Sequence, residues 1–362
     1  MPAPAVMEGR GAYNRHAQQQ AAAGAVAVAA LERAARVVDP GPDDRPLLIA
    51  DYGSSQGRNS LRPVRAAIAA LRARFDAERP ICVTHTDLPD NDFSALFQVL
   101  QTDPDSYLRG QPNVFASAVG CSFYESVLAP AQVALGWSSM AAQWLSRVPC
   151  LVRGHFHSLR AAPSERDAFA AQAAADWRTF LSLRARELRP GGRLVIVLPA
   201  TGDAGLQGME PLFDAANDSI AEFVARGMIG AGERERMVIA DSIRSRAQLL
   251  APFDGSGSFE GLAVEHCEVL HAPDAMWDAY REHGDAGQLA TQRARFFRAT
   301  FGPSLATALN PGRPPGDRLA FADALEAALV RRLPSENFEM LQTLAVMVVT
   351  QSRAVVAART KP

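Results

Sequence analysis

The residues best placed to do chemistry lie in "LLIADYGSSQGRNSL", 47 to 61, where an apolar run breaks into glycine, serine and glutamine. A buried strand followed by a glycine turn and a helix offers backbone N–H groups at the strand's carboxyl end, where ligands of open α/β sheets bind. Several ligand classes compete for such a turn. A phosphate loop needs G-x-x-x-x-G-K-[ST], but Gly57 is followed by Arg58 and Asn59, so the lysine and hydroxyl that grip phosphate and magnesium are missing. A dinucleotide turn needs G-x-G-x-x-G, which Gly53-Ser54-Ser55-Gln56-Gly57 does not supply. Asp51, two residues before Gly53, suits a ligand with a cationic or amino-acid end, because a carboxylate accepts hydrogen bonds from an ammonium. S-adenosylmethionine is such a ligand, although the turn alone does not single it out.

Two later stretches extend the candidate site. "THTDLPDNDF" sets Asp87 just past a second strand, placed to accept from ribose hydroxyls or an adenine edge. "GCSFYESVLAP" sets Ser122 and Phe123 after a third strand, so a hydroxyl and an aromatic face could bracket a purine.

The elements that must position these residues alternate. Strands are expected at 47–53, 81–89, 113–120 and 191–202, with helices after the first and over 164–188. Strands alternating with helices predict a doubly wound parallel sheet. An alanine-rich helix is expected to run to about Val38 and to stop at the two prolines of "DPGPDDRP". Beyond residue 204 the pattern becomes largely helical, with further strands at 262–270 and 341–352. The expected division is a core over 1–204, helical cap segments over 205–250 and 275–335, a core strand region over 251–274 and a final core strand over 336–362.

Bulk properties narrow the function. The 362 residues are 48% apolar and 21% charged, an ordinary globular composition, and a net charge of −2 gives no general attraction to nucleic acid or anionic membrane. The four cysteines form no C-x-x-C pair, so reduced thiols and a cytoplasmic location are expected. The run "AAAGAVAVAAL" is too short to span a bilayer, and Glu8 with a polar lead-in argues against a signal peptide. "GHFH" (His155, His157) invites a metal reading, but i and i+2 share a face only on a strand and no further ligands lie nearby, so no metal is expected. The charges at 233–237 read as a solvated helix surface.

Taken in order, "IADYGSSQGRNSL", "TDLPDNDF", "GCSFYESVLAP", "SSMAAQWLSRVP" and "RPGGRLVIVLPATG" resemble the SABATH carboxyl methyltransferases. That resemblance implies a Rossmann-like class I methyltransferase sheet with a mostly helical cap, S-adenosylmethionine as cofactor and S-adenosylhomocysteine as product. It implies cofactor contacts from Tyr13, Asp51, Gly53, Asp87, Leu88, Ser122 and Phe123. Gln20 and Trp144 correspond to the family's two donors to a substrate carboxylate. Met140 and Trp137 stand where the family often has Tyr and His, and Leu212, Phe213 and Phe297 align with lid positions over the substrate. The implied substrate is a small apolar acid, aromatic, indolic or isoprenoid, with no nucleic-acid or membrane partner and homodimers common in the family. N- or O-methylation of a non-carboxylate and non-catalytic binding are the rival readings. The chain departs from the family's opening pattern: His16 and Ala17 replace the usual Asn and Ser, and Glu8 lies where some members have lysine.

Overall fold

The computed structural model describes residues 7–41, 45–201, 208–314, 316–335 and 338–352. Eight strands form one sheet: β1 (Leu47–Tyr52), β2 (Ile81–Asp87), β3 (Val114–Gly120), β4 (Val133–Ser139), β5 (Leu188–Pro199), β6 (Ser258–Phe259), β7 (Leu262–His271) and β8 (Thr343–Gln351). Their spatial order is β3-β2-β1-β4-β5-β8-β7-β6. The first five pair in parallel, whereas β8 runs antiparallel to β5 and β7, and β6 hairpins onto β7. The doubly wound sheet is therefore parallel over β3, β2, β1, β4 and β5, and its other edge turns antiparallel at β8, where the short β6–β7 turn accounts for the reversal of β6 alone.

The N-terminal segment carries α1 (Ala12–His16), α2 (Gln18–Ala25) and α3 (Val28–Val37), so the single expected helix is broken at Val26 and Ala27. After the turn comes α4 (Arg58–Arg72), then α5 (Phe93–Thr102) behind β2 and α6 (Pro163–Glu187) before β5. Strand β4 was not legible as one in "VALGWSS", because Gly136 and two serines interrupt any branched apolar run. Gly136 has a packing reason: a Cβ there would come within 2.7 Å of Leu194 and 3.3 Å of the Tyr52 ring.

The remaining helices are α7 (Glu210–Ala225), α8 (Ala231–Arg236), α9 (Arg246–Leu250), α10 (Ala275–His283), α11 (Ala286–Ala306) and α12 (Asp317–Arg332). Residues of α7, α11 and α12, with Phe156, Met237, Ile239 and Met340, build an apolar core of their own, separate from those on the two sheet faces. A buried ion pair ties it together: Arg293 of α11 bonds Asp274 at 3.0 Å, and Asp274 also accepts from the backbone N–H groups of Met276, Trp277 and Met340. Charges at 233–237 do more than solvate a surface, since the nearly buried Glu233 bonds Arg313 at 2.6 Å and accepts from the Asn310 and Gly230 N–H groups. No helix among the described residues is long and apolar enough to cross a membrane.

Candidate functional site

Chain order reverses around β1, with β2 and β3 on one side and β4 and β5 on the other. Such a switch point leaves a crevice beyond the carboxyl ends of the strands. The turn after β1 enters that crevice in a backbone shape only glycine tolerates at two points. Gly53 has φ +85°, and a Cβ on it would stand 2.3 Å from the Ala141 Cβ, while Gly57 has φ +84° beside Leu96. Gly53 and Ser54 donate to the Thr86 carbonyl at 2.9 and 3.0 Å, pinning the turn to the end of β2. The N-terminal segment is stitched over it: Gln56 Nε2 donates to the Glu8 carbonyl, Asn14 Nδ2 to the Gln56 carbonyl and Asn59 Nδ2 to the Ala17 carbonyl.

Two carboxylates flank the turn with different environments. Asp51 is buried and stands 2.8 Å from His85 Nδ1, whose Nε2 lies 2.7 Å from the Tyr107 hydroxyl. It does not line the crevice cavity. Asp87 does: it accepts from the Ser55 N–H at 2.7 Å and the Leu88 N–H at 2.8 Å. Burial pushes the Asp87 carboxyl up to about 6, a rise the two backbone donors oppose and the Asp51 charge reinforces. Tyr13 lines the same wall, and burial holds its hydroxyl well above the usual phenol range.

The cavity that Gly53 opens into is lined by Tyr13, Ser55, Asp87, Leu88, Ser122, Phe123, Met140 and Trp144, with Met7, Tyr124, Ala141, Leu145 and Ser146. Six of the seven residues expected at the cofactor, all except Asp51, therefore meet around one space. Ser55 Oγ is buried there without a hydrogen-bond partner. Ser122 Oγ accepts from the Tyr124 N–H at 3.2 Å, and the Tyr124 hydroxyl donates to the Trp144 carbonyl at 2.6 Å.

A second cavity adjoins the first, sharing Met7, Tyr13, Met140 and Trp144 and adding Gln20, Gln143, Pro199, Met209, Asp241, Phe296, Thr300, Phe301 and Gln342. Gln20 is buried and donates from Nε2 to Thr300 Oγ1 at 2.9 Å, leaving one amide N–H uncommitted. Trp144 forms an antiparallel bridge with Asp241, setting the two side by side.

Four expected substrate residues lie elsewhere. Trp137 is 1% exposed and packs in the core between the sheet and the N-terminal helices. Leu212, Phe213 and Phe297 are buried inside the helical core, where Phe213 and Phe297 meet Phe156 edge-on. Their rings are taken up by other aromatic groups: Phe297 packs against Phe156, Phe213 and Phe301, and Phe213 also stacks on His157. Phe296, Phe301 and Met209 make the apolar wall instead. Gln143 was missed although it precedes Trp144, and Asp241 and Gln342 carry no local sequence signal. Glu8 is spoken for by Arg298 at 3.0 Å.

Of the two histidines in "GHFH", His157 stands 3.2 Å from Asp241. His155 stands 3.4 Å from Asp214, and burial pushes its imidazole down to about 4. Among the described residues no group of three His, Cys, Asp or Glu could hold a metal ion.

The profile described as SAM-dependent carboxyl methyltransferase matches residues 5–316. The chain belongs to that family. Among its relatives, the chain is similar to Methyltransferase FUS9 of Gibberella fujikuroi, 30% identical over 225 residues, 62% of this chain and 60% of that protein. It is also similar to salicylate carboxymethyltransferase of Clarkia breweri, 27% identical over 278 residues, 72% of this chain and 74% of the other. The match spans only about three-fifths of the length of the fungal relatives. A solved loganic acid methyltransferase with S-adenosylhomocysteine shares the fold at a TM-score of 0.78, with 20% identity, covering 98% of this chain and all of that one. The family's cofactor fits the residues present: the Gly53 backbone lines the cavity with Ser55 Oγ, which is buried there without a partner, and Asp87 offers an acceptor at the wall.

Proposed function

We propose that the chain transfers a methyl group from S-adenosylmethionine to the carboxylate of a small, mostly apolar acid, giving a methyl ester. Tyr13, Gly53, Ser55, Asp87, Leu88, Ser122 and Phe123 would hold the cofactor, and the family's S-adenosylmethionine supplies an electrophilic methyl carried on a sulfonium. The observation that carries the reading is that Gln20 and Trp144 line one cavity that shares Met7, Tyr13, Met140 and Trp144 with the other.

A carboxylic acid has a pKa of about 4, so at neutral pH the nucleophile is already ionised and no general base is needed. The protein's task is then to orient and to exclude water. An indole N–H and an amide N–H donate without carrying charge, so they steer a carboxylate while leaving its nucleophilicity intact. A cationic side chain there would stabilise the ground-state anion more than the transition state, in which that charge is being spent. Met140, Met209, Phe296 and Phe301 supply an apolar wall for the acid's body. The segments over 205–250 and 275–335 fit a helical cap on a core made of the remainder, and a cytoplasmic, homodimeric enzyme is the accompanying expectation.

The test is incubation with methyl-labelled cofactor and a panel of aromatic, indolic and isoprenoid acids, followed by solvent extraction. Extractable, base-labile label is expected from at least one acid. Turnover of nitrogen heterocycles with none from acids would replace the reading by N-methylation, and tight S-adenosylhomocysteine binding without any turnover would leave a binding protein.

A further inference from the structure

The inner cavity is richer in hydrogen-bond acceptors than an apolar acid requires. Gln143, Asp241 and Gln342 line it and are 6%, 4% and 2% exposed. Gln143 Oε1, Gln342 Oε1 and Asp241 Oδ1 are all buried without a hydrogen-bond partner. The Gln143 amide cannot simply be turned over, because its Nε2 donates to the Met140 carbonyl at 2.9 Å and an oxygen there would face another oxygen. Gln342 Nε2 faces Met209 Sδ at 3.8 Å. His157 Nε2 stands 3.2 Å from both Asp241 oxygens, but its hydrogen bond goes to Oδ2.

Resting on the carboxylate reading above, we propose that the acid this site esterifies carries a hydrogen-bond donor, a hydroxyl or an N–H, besides its carboxylate, and that Gln143, Gln342 and Asp241 read it. An apolar ligand would seal these acceptors in unpaired, whereas a donor carried by the substrate would pair them. The Asp241 carboxylate also excludes. A second substrate carboxylate brought to Asp241 in place of a donor is repelled. The Trp144–Asp241 bridge fixes the carboxylate's donor and this acceptor beside each other on one ladder.

The experiment measures kcat/KM for matched pairs of arylalkanoic acids, with and without a ring hydroxyl or N–H, the donor placed at three distances from the carboxylate. At one distance or more the donor-bearing acid should be preferred by about 10- to 100-fold, the span expected when a buried acceptor is paired or left unpaired. Gln143→Leu should collapse that preference to about threefold, chiefly by lowering turnover of the donor-bearing acid. Asp241→Asn should raise turnover of the corresponding dicarboxylic acids. Equal or better turnover of donor-free acids at every distance, or a preference that survives both substitutions, overturns the donor proposal while esterification itself stands. If S-adenosylhomocysteine binds but no acid of either kind accepts label, the carboxylate reading fails, and the donor proposal with it.

Discussion

Asp87 offers a sharp test because its protonation and its proposed task are linked. Burial raises its carboxyl from 3.8 to about 6, and only the ionised form can accept from two ribose hydroxyls while retaining the Ser55 and Leu88 backbone donors. A carboxyl titrating at about 6 is roughly nine-tenths ionised at pH 7 and roughly one-tenth ionised at pH 5. Cofactor affinity should therefore fall about tenfold between those pH values, or about 1.4 kcal/mol. Stability of the free protein moves the other way at this group. Its folded-state value is raised, so its contribution is fully present below 3.8 and is lost as pH rises through about 6. Calorimetric titration of S-adenosylhomocysteine at pH 5, 6, 7 and 8 and constant ionic strength reads the first effect. Asp87→Asn should bind about tenfold more weakly at pH 7 and lose the pH dependence. A wild-type affinity flat from pH 5 to 8, or an unchanged slope in Asp87→Asn, would refute the assignment.

Three further substitutions probe the turn, the substrate anchor and the helical core. Gly53→Ala combines a left-handed backbone with a Cβ 2.3 Å from that of Ala141, so it should lose about 2–4 kcal/mol in thermal or urea unfolding; a loss below about 0.5 kcal/mol would mean the turn relaxes freely. Trp144→Ala should cut kcat/KM for the acid by about 100-fold or more while leaving S-adenosylhomocysteine affinity within about threefold. Equal loss of both would make Trp144 a structural residue. Asp274→Ala strands the buried Arg293 and three backbone donors, and should cost about 3–5 kcal/mol in urea unfolding, whereas a cost under about 1 kcal/mol would show that Arg293 finds another partner.

The parallel half of the sheet was legible because its strands are short apolar runs closed by Gly or Pro, and because each functional residue follows directly on such a run. Asp87, Ser122 and Phe123 needed only the next few residues to place them. β4 escaped because its centre is Gly136, chosen for the close approach of Leu194 rather than for strand propensity. Asp51 illustrates a different limit. Its distance from Gly53 suggested a ligand, whereas its side chain turns to His85 across the β1–β2 ladder, a pairing set by register and invisible locally. The inner cavity was the least readable part. Thr300 and Gln342 reach it from helix α11 and from the lead into β8, and Phe296 lines it while its neighbour Phe297 is taken up by Phe156 and Phe213. Asp241 arrives through a single bridge to Trp144, with no pattern around it to mark it.

The central claim is that a carboxylate oxygen of the substrate takes the methyl group directly. Supplying an accepted acid with both carboxyl oxygens replaced by the heavy isotope, together with S-adenosylmethionine, and weighing the product by mass spectrometry tests it most directly. A methyl ester that retains both heavy oxygens, one of them bearing the new methyl, is expected. A product methylated on nitrogen or on a hydroxyl, with the carboxylate left free, would contradict it.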